Sequence, residues 1–191
     1  MVRPALLCLS LLLPSFTVVD AQQLTFARES IAIDVQTEMY TLSGLYTFEN
    51  PGPAPVHALL FYPFAGPIDA IDSLVVRDET DSADVPYEKG PTGISFAVDV
   101  PPLNTSVYRV AFRCKAPDRR CEYILTSTAF WRRPLDHTEI TVSVPDTLRA
   151  VSWSYRPDGS EQGIHRRIYR LDRSHFSPDR NFILRWERSS P

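Results

Sequence analysis

The chain has 191 residues, of which 23% are charged and 43% hydrophobic, and its formal net charge is −3. These ordinary fractions exclude wholesale disorder and indicate a globular protein. A chain of this length buries roughly 70% of its unfolded surface when it folds, so its stability requires neither a metal ion nor a dense disulfide framework.

The first residues have the pattern of a secretory signal peptide. Arg3 gives a positive start, residues 5–19 form an almost uncharged apolar run, and residues 19–21 (Val-Asp-Ala) end in a small residue suited to cleavage. The run is too short to span a bilayer comfortably as a permanent helix. We therefore predict a signal peptide over residues 1–21 and a mature protein that begins near Gln22, is secreted or periplasmic, and is soluble.

Alternation of apolar and polar residues with a period of two runs through most of the mature chain, and no segment has a sustained helical stripe. The alternating segments are residues 31–36, 39–48, 94–100, 108–112, 139–144, 150–155 and 182–187. The pattern predicts about ten to twelve short strands in an all-β antiparallel β-sandwich, either immunoglobulin-like or made of two packed β subdomains. Residues 22–191 are expected to form a single body, with a candidate subdomain boundary near residues 114–121.

Two segments depart from simple alternation. Residues 56–64 are apolar at nearly every position, as in a strand that is buried between two layers. Gly44 lies inside a strongly patterned strand, where an isolated glycine is typical of a β-bulge. We therefore expect residues 56–64 to be covered on both faces, and we expect a bulge at Gly44.

Charge is divided unevenly along the mature chain. Residues 22–112 contain four basic and twelve acidic side chains, whereas residues 113–191 contain fifteen basic and ten acidic ones. Opposite net charges favour packing of the two halves against each other, and a polar binding patch is the alternative interpretation. Because export separates the arginine-rich half from nucleic acid, we expect no nucleic-acid partner. The expected partner is another envelope or extracellular protein.

The three cysteines reduce to two once the predicted leader, which contains Cys8, is removed. Cys114 and Cys121 remain, and in an oxidising compartment we expect them to form a disulfide that closes the short loop between them. In the chain-entropy estimate such a bridge contributes about 2–3 kcal/mol. A redox-active or metal-binding pair is the alternative, although the C-x-x-C spacing is absent.

A motif in the first half has a family resemblance. Residues 42–51 read Leu-Ser-Gly-Leu-Tyr-Thr-Phe-Glu-Asn-Pro, and the next apolar segment ends in Tyr-Pro-Phe at residues 62–64. This pattern resembles the start of vault/inter-alpha-trypsin-type domains and of uncharacterised secreted bacterial β-sandwich proteins. In the second half, residues 123–126, Trp131 and residues 176–179 resemble the bacterial group more closely. The resemblance implies an antiparallel sandwich without an established activity, and the von Willebrand-type domain usual for the inter-alpha-trypsin group does not follow.

Two local patterns overlap at residues 103–110. This segment resembles the tyrosine corner of immunoglobulin-like folds, with Tyr108 as the corner residue. Asn104 begins an Asn-Thr-Ser sequon for N-glycosylation, which is relevant in a eukaryotic secretory pathway. In a bacterial protein the same residues are expected to form a turn before the next strand.

The sequence carries no recognised catalytic or cofactor motif. The four histidines are scattered without an H-x-x-x-H pair, and no serine lies in a G-x-S-x-G elbow. The acidic residues 78–84 could supply calcium ligands, but they lack the glycine and final glutamate of an EF-hand loop, and we favour a solvated hairpin tip. We predict no catalytic, cofactor-binding or metal-binding residues and no enzymatic activity. The enzymatic alternative is an extracytoplasmic hydrolase with an unmarked carboxylate pair.

Aromatic residues are the remaining candidates for a binding site. Trp131 precedes Arg132 and Arg133, and an indole beside two guanidiniums forms a candidate contact point; the alternative is a tryptophan tucked over the sandwich end with solvated arginines. Trp153 and Trp186 are expected in the core, although with Trp131 they could form a platform for sugars or peptides. We predict an exported non-catalytic module for protein interaction or cell-envelope assembly that exposes an edge strand or apolar patch. A carbohydrate- or peptide-binding module is the first alternative.

Overall fold

The structure, a computed structural model, describes residues 24–189, so the predicted signal peptide and Cys8 lie outside the described residues. The described chain is almost entirely β-structure, which confirms the predicted fold class. Its strands are β1 (Thr25–Val35), β2 (Met39–Asn50), β3 (Val56–Pro63), β4 (Ile71–Asp78), β5 (Ala83–Asp84), β6 (Tyr87–Lys89), β7 (Gly93–Val100), β8 (Asn104–Lys115), β9 (Arg120–Tyr123), β10 (Leu135–Pro145), β11 (Leu148–Trp153), β12 (Gly159–Gly163), β13 (Arg166–Phe176) and β14 (Phe182–Arg188). Two short 3-10 segments cover Ile68–Ala70 and Thr126–Trp131.

The strands form one large sheet and two small ones. The large sheet has the order β12-β13-β10-β1-β2-β8-β4-β5, and the small sheets have the orders β3-β7-β6 and β11-β14-β9. β1 and β10 are parallel, whereas the other pairings among the described strands are antiparallel. The sequence did not predict the parallel pair because side chains alternate with a period of two in both kinds of ladder.

Both small sheets pack on the same face of the large sheet. Phe96 of β7 contacts Tyr108 of β8, with ring centroids 6.3 Å apart, and Trp186 of β14 contacts Tyr40 of β2 at 6.5 Å. One connected set of buried residues runs through all three sheets. Residues 114–121 are the segment in which the chain leaves β8 and enters β9 in the opposite layer. The small sheets therefore form a second layer, with β3 and β9 as neighbouring outer strands.

The prediction that residues 56–64 are covered on both faces is wrong. β3 pairs with β7 alone and lies at the edge of its sheet. Val56 and Tyr62 face the core, but Leu59 is 75% exposed and Phe61 is 56% exposed. The strand has the composition of a doubly covered strand because its outward positions are also apolar, yet the described chain covers only one of its faces.

The bulge predicted at Gly44 is also absent. Gly44 lies in regular register with Ile31 on one side and Val110 on the other, and the irregularity in the β1–β2 ladder falls between Phe26 and Arg28. A Cβ atom at Gly44 would lie 2.1 Å from the hydroxyl oxygen of Tyr46. Glycine is required here because the Tyr46 ring lies back along the strand and occupies the space of a side chain.

The predicted Cys114–Cys121 disulfide is not present in the structure, where both cysteines are free and buried. Cys114 lies opposite Tyr40 in the β2–β8 ladder of the large sheet, whereas Cys121 lies opposite Leu184 in the β9–β14 ladder of a small sheet. Burial raises the pKa of both thiols. The two residues act as small apolar side chains in the core between the layers.

Tyr108 anchors the main chain as a tyrosine corner residue does. Its hydroxyl group accepts a hydrogen bond from the backbone nitrogen of Asp99 at 2.7 Å and donates one to the backbone oxygen of Asp99 at 3.1 Å. Asn104 of the sequon is exposed at the start of β8, where its side-chain oxygen accepts a hydrogen bond from the backbone nitrogen of Thr105. The segment thus connects β7 to β8 by a fixed turn.

Candidate functional site

A cavity of about 470 Å³ opens between β3 and the Thr126–Trp131 segment. This volume falls in the range of roughly 300–1,000 Å³ that is typical of ligand clefts. The cavity lies over β1 and β2, at the place where the two small sheets of the second layer are separated. Its lining residues are Phe26, Tyr46, Phe48, Leu59, Leu60, Phe61, Tyr62, Pro63, Phe96, Tyr123, Ile124, Ser127, Thr128, Phe130 and Trp131.

Inward-facing aromatic rings of the large sheet form the floor of the cavity. Phe26 of β1 and Phe48 of β2 stack with centroids 5.3 Å apart. Trp131 packs against both rings, at 5.8 Å from Phe26 and 5.7 Å from Phe48. These contacts fix one wall of the cavity, because aromatic groups in contact with several neighbours have few alternative rotamers.

Three exposed apolar side chains surround the opening, and we call them the β3 rim: Leu59, Phe61 and Phe130. Phe130 is 79% exposed, and Leu59 and Phe61 are the two exposed apolar side chains of β3. The Phe61 ring lies over Gly93, where a Cβ atom would approach it to 2.6 Å. Single exposed apolar residues are common on protein surfaces, but a cluster around a cavity indicates an interaction site.

A hydrogen-bonded polar cluster adjoins the cavity, and its three tyrosines, Tyr46, Tyr62 and Tyr123, also line the cavity. The hydroxyl groups of Tyr46 and Tyr62 share a hydrogen bond of 2.9 Å. The Tyr123 hydroxyl donates to Oε2 of Glu29 at 2.7 Å, and the Thr138 hydroxyl donates to Oε1 at 3.3 Å. Burial raises the pKa of Glu29 to about 7, although these two donors partly offset the effect. The cluster joins β1, β2, β3, β9 and β10 across both layers.

The predicted contact residues lie at one end of this cavity. Trp131 is half-buried and lines the cavity, whereas Arg132 and Arg133 are exposed. Arg133 forms an ion pair with Asp136 at 2.8 Å. The structure therefore places the indole in the cavity wall and the two guanidiniums outside it.

The three tryptophans do not form a common platform. Trp186 is buried, and its indole nitrogen donates to the backbone oxygen of Thr37 at 3.3 Å. Trp153 is half-buried against Tyr169, at 4.9 Å between ring centroids. The rings of exposed Phe130 and half-buried Trp131 are perpendicular, so this aromatic pair is not coplanar.

The acidic and histidine side chains that the sequence offered as candidates do not form a metal site. Among residues 24–189, no group of three or more His, Cys, Asp or Glu side chains is placed to hold a metal ion. The acidic residues 78–84 form the β4–β5 turn, in which the Asp78 carboxylate accepts a hydrogen bond from the backbone nitrogen of Thr80 at 2.8 Å. His57 pairs with Asp99 across β3 and β7. Within the described part of the chain, no helix is both long and apolar enough to cross a membrane.

Sequence reasoning missed the β3 rim and Glu29. Leu59 and Phe61 were assigned to a second covered face, and Phe130 was not singled out beside Trp131. Glu29 has the same parity as Ile31 and therefore points to the core side of β1. A carboxylate at a core position was the signal that could have identified the buried cluster.

Comparisons with known proteins identify relatives of the fold. No family model and no curated protein matches the sequence. The structure is similar to a proposed nutrient-binding protein of Legionella pneumophila, with a TM-score of 0.72, 15% identity, and coverage of 86% of this chain and 67% of that chain. It is also similar to an M1 zinc metallopeptidase of Deinococcus radiodurans, with a TM-score of 0.54 and 11% identity.

The alignment with the peptidase covers 85% of this chain but 42% of the peptidase, so the chain spans less than half of that protein. The same peptidase with a bound tripeptide substrate gives a TM-score of 0.55 and 10% identity. At these identities the similarities establish a shared fold and no shared activity. In both of these proteins the matched layered all-β fold makes up part of a longer chain.

Proposed function

We propose that the protein is an exported, non-catalytic binding module that holds a partner protein at the β3 rim. The observation that carries this proposal is β3 itself, a strand that is apolar on both faces but covered on one. Leu59 and Phe61 leave apolar surface in water beside an open cavity. Covering such surface contributes roughly 25 cal/mol per Å², so a partner that covers the rim gains free energy.

The chemistry of the lining supports binding rather than catalysis. Its side chains are aromatic, aliphatic or hydroxylic, and none is a carboxylate, an imidazole or an amine. Glu29 is 2% exposed, and both of its oxygens already accept hydrogen bonds from the core. A general acid or base must reach its substrate, and this carboxyl group is buried and does not line the cavity.

The compartment remains part of the proposal. The leader pattern of residues 1–21 favours a secreted or periplasmic protein, and a role in envelope assembly agrees with an exposed binding surface. The protein of Legionella pneumophila with the same fold is described as a proposed nutrient-binding protein. A small apolar ligand in the cavity is therefore the second candidate, favoured by the cavity volume and its aromatic lining.

The test is capture of proteins from the envelope fraction by the immobilised mature chain. We expect wild type to retain a specific partner and Phe61→Ser to retain at least tenfold less of it, because truncating a central aromatic residue commonly costs 1.4 kcal/mol or more. Ile164→Ser is the matched control, since Ile164 is 88% exposed at the β12–β13 turn, away from the rim. Equal capture by wild type and Phe61→Ser, or no capture above a denatured control, would contradict the proposal.

A further inference from the structure

We propose that the open edge of β3 receives an extended peptide segment of the partner as an additional strand between β3 and β9. This inference rests on the proposed function and specifies how the partner is held. The occupant is a segment with apolar side chains at alternating positions and an acidic flank. Strand addition to a sheet edge combines main-chain hydrogen bonds with pockets for alternate side chains.

The hydrogen-bonding direction of β3 follows from one loop contact. The backbone nitrogen of Phe64 donates to the backbone oxygen of Thr92 at 2.9 Å, so the main chain of Phe64 points towards β7. Main-chain groups alternate in direction along a strand, and Leu60 therefore also points towards β7. By the same rule the N–H and C=O groups of Leu59 and Phe61 point away from β7, towards the cavity.

A second contact gives the same direction independently. His57 lies opposite Asp99 in the β3–β7 ladder. The main-chain nitrogen and oxygen of Asp99 are both engaged by the Tyr108 hydroxyl, on the side away from β3. His57 and Asp99 are therefore a pair without main-chain hydrogen bonds between them, and the main chain of His57 also points to the open edge. The open edge thus offers donors and acceptors at His57, Leu59 and Phe61.

The space beside this edge suits a single extended chain. Tyr62 of β3 and Tyr123 of β9 line the same cavity, and the Thr126–Trp131 segment forms the wall that faces β3. A strand at this position would join the two small sheets into one continuous second layer. An edge strand that is part of another folded sheet would bring its neighbours with it, and the Thr126–Trp131 segment stands in their way. The geometry therefore favours a partner peptide over the β3 strand of a second copy.

The surroundings also define the chemistry of the peptide. Side chains that point inward enter a lining without charged groups, and those that point outward pack beside Leu59 and Phe61. Arg132 is exposed next to Trp131, and it takes part in none of the ion pairs formed among residues 24–189. An acidic residue that follows the apolar part of the peptide would complement this charge.

The probe is a pool of acetylated octapeptides that alternate threonine with phenylalanine, leucine or valine and end in two aspartates. Peptides retained by the immobilised mature protein are quantified by mass spectrometry, and the best-retained one is titrated by fluorescence anisotropy. Leu59→Pro is the decisive variant, because proline removes the N–H group at the open edge and leaves the bonds to β7 intact. Leu59→Ala is its matched control, since it removes the same side chain and keeps the N–H group.

We expect Leu59→Pro to bind at least tenfold more weakly than Leu59→Ala, with an unchanged circular dichroism spectrum for both variants. Arg132→Glu should lower the affinity for the peptide that ends in two aspartates at least threefold. The affinity for a peptide that ends in two asparagines should not change. Retention of no peptide from the pool, or equal affinity of Leu59→Pro and Leu59→Ala, would overturn strand addition. If Phe61→Ser still abolishes partner capture in that case, the proposed function stands without it.

Two further outcomes identify other occupants and also overturn the inference. A concentration-dependent dimer in sedimentation velocity that Phe61→Ser disperses would assign the surface to a second copy of the chain. Equal binding of a peptide that is N-methylated at alternate residues would show that the cavity holds apolar side chains without main-chain pairing. Each of these measurements uses variants whose circular dichroism spectra match that of the wild type, so a loss of binding is not caused by a loss of folding.

Discussion

Gly44 has no side chain, and the ring of Tyr46 occupies the space that a side chain would fill. Each of the next inward-facing residues on β2 makes a different contact. Tyr46 shares a hydrogen bond with Tyr62 across the layers, and Phe48 packs against the wall of the cavity. The Asn50 amide donates to the backbone oxygen of Ala54 at 2.7 Å and so fixes the turn into β3. In the sequence motif G-x-Y-x-F-x-N, the tyrosine and the phenylalanine therefore line the cavity, while the glycine makes room for the tyrosine ring and the asparagine holds the following turn.

Gly44→Ala should displace Tyr46 and destabilise the protein. The new Cβ atom would lie 2.1 Å from the Tyr46 hydroxyl, and overpacking of this kind costs about 1–3 kcal/mol. Urea unfolding measures the change in the free energy of unfolding. Gly159→Ala is the matched control, because nothing lies within 4 Å of a Cβ atom there. Equal stability of both variants would show that Tyr46 does not depend on Gly44.

Glu29 makes the stability of the fold depend on pH. Burial raises its pKa from 4.5 to about 7 in the folded protein, so the folded state holds a proton that the unfolded state releases above pH 4.5. This contribution to stability is complete below pH 4.5, falls as the pH rises to about 7, and is constant above that. A shift of this size corresponds to about 3 kcal/mol at 1.36 kcal/mol per unit.

Glu29→Gln is the test of this dependence, because glutamine resembles the protonated carboxyl group at every pH. We expect the variant to gain stability relative to wild type between pH 4.5 and 7, by up to about 3 kcal/mol. Urea unfolding of both proteins across this range measures the difference in their free energies of unfolding. Carboxylates with a lowered pKa, such as Asp158, contribute equally to both proteins and do not affect this difference. A difference that does not change with pH would contradict the buried, protonated state of Glu29.

At the scale of the strand, β3 is unusual because its composition and its environment disagree. The apolar pattern of residues 56–64 correctly predicted a strand and a buried inner face. It could not predict that the outer face is exposed to solvent. The pattern shows which side chains are apolar, but it does not show whether another element covers them. The sequence pattern did not predict the strand β13. Its sequence contains several arginines and only one side chain that is buried, Leu171, so it lacks a clear alternation of apolar and polar residues.

The alternation of hydrogen bonds in β3 predicts the amide exchange rates of the free protein. The amides of Leu59 and Phe61 face the open edge and should exchange at least tenfold faster than the amide of Leu60, which faces β7. Residue-resolved hydrogen exchange by NMR measures the three rates. Similar protection at Leu59 and Leu60 would mean that the open edge of β3 is already paired.

The whole molecule is held together by packing between layers, with a smaller electrostatic contribution. The predicted attraction between the acidic and basic halves corresponds to ion pairs that join them, such as Asp34–Arg166 at 2.8 Å and Asp72–Arg113 at 2.6 Å. Both pairs are partly exposed, and such pairs contribute little individually. Periodicity predicted the layers and most of their inner faces, whereas the strand order and the gap over β1 and β2 depend on long-range pairing that periodicity does not encode.

The gap in the second layer is the feature on which the proposed function depends. Two small sheets cover the large sheet incompletely, and the rim of the uncovered region is apolar. A partner that fills the gap would bury the rim and pair the open edge in one step.

Amide exchange in the complex with the captured partner shows whether the partner binds at the β3 rim. We expect the amides of Leu59 and Phe61 to exchange at least tenfold more slowly when the partner binds, whereas the amides of the β12–β13 turn at Ile164 keep their rates. If exchange at Leu59 and Phe61 is unchanged in a complex that is protected elsewhere, the partner binds away from the β3 rim and the proposed function is wrong.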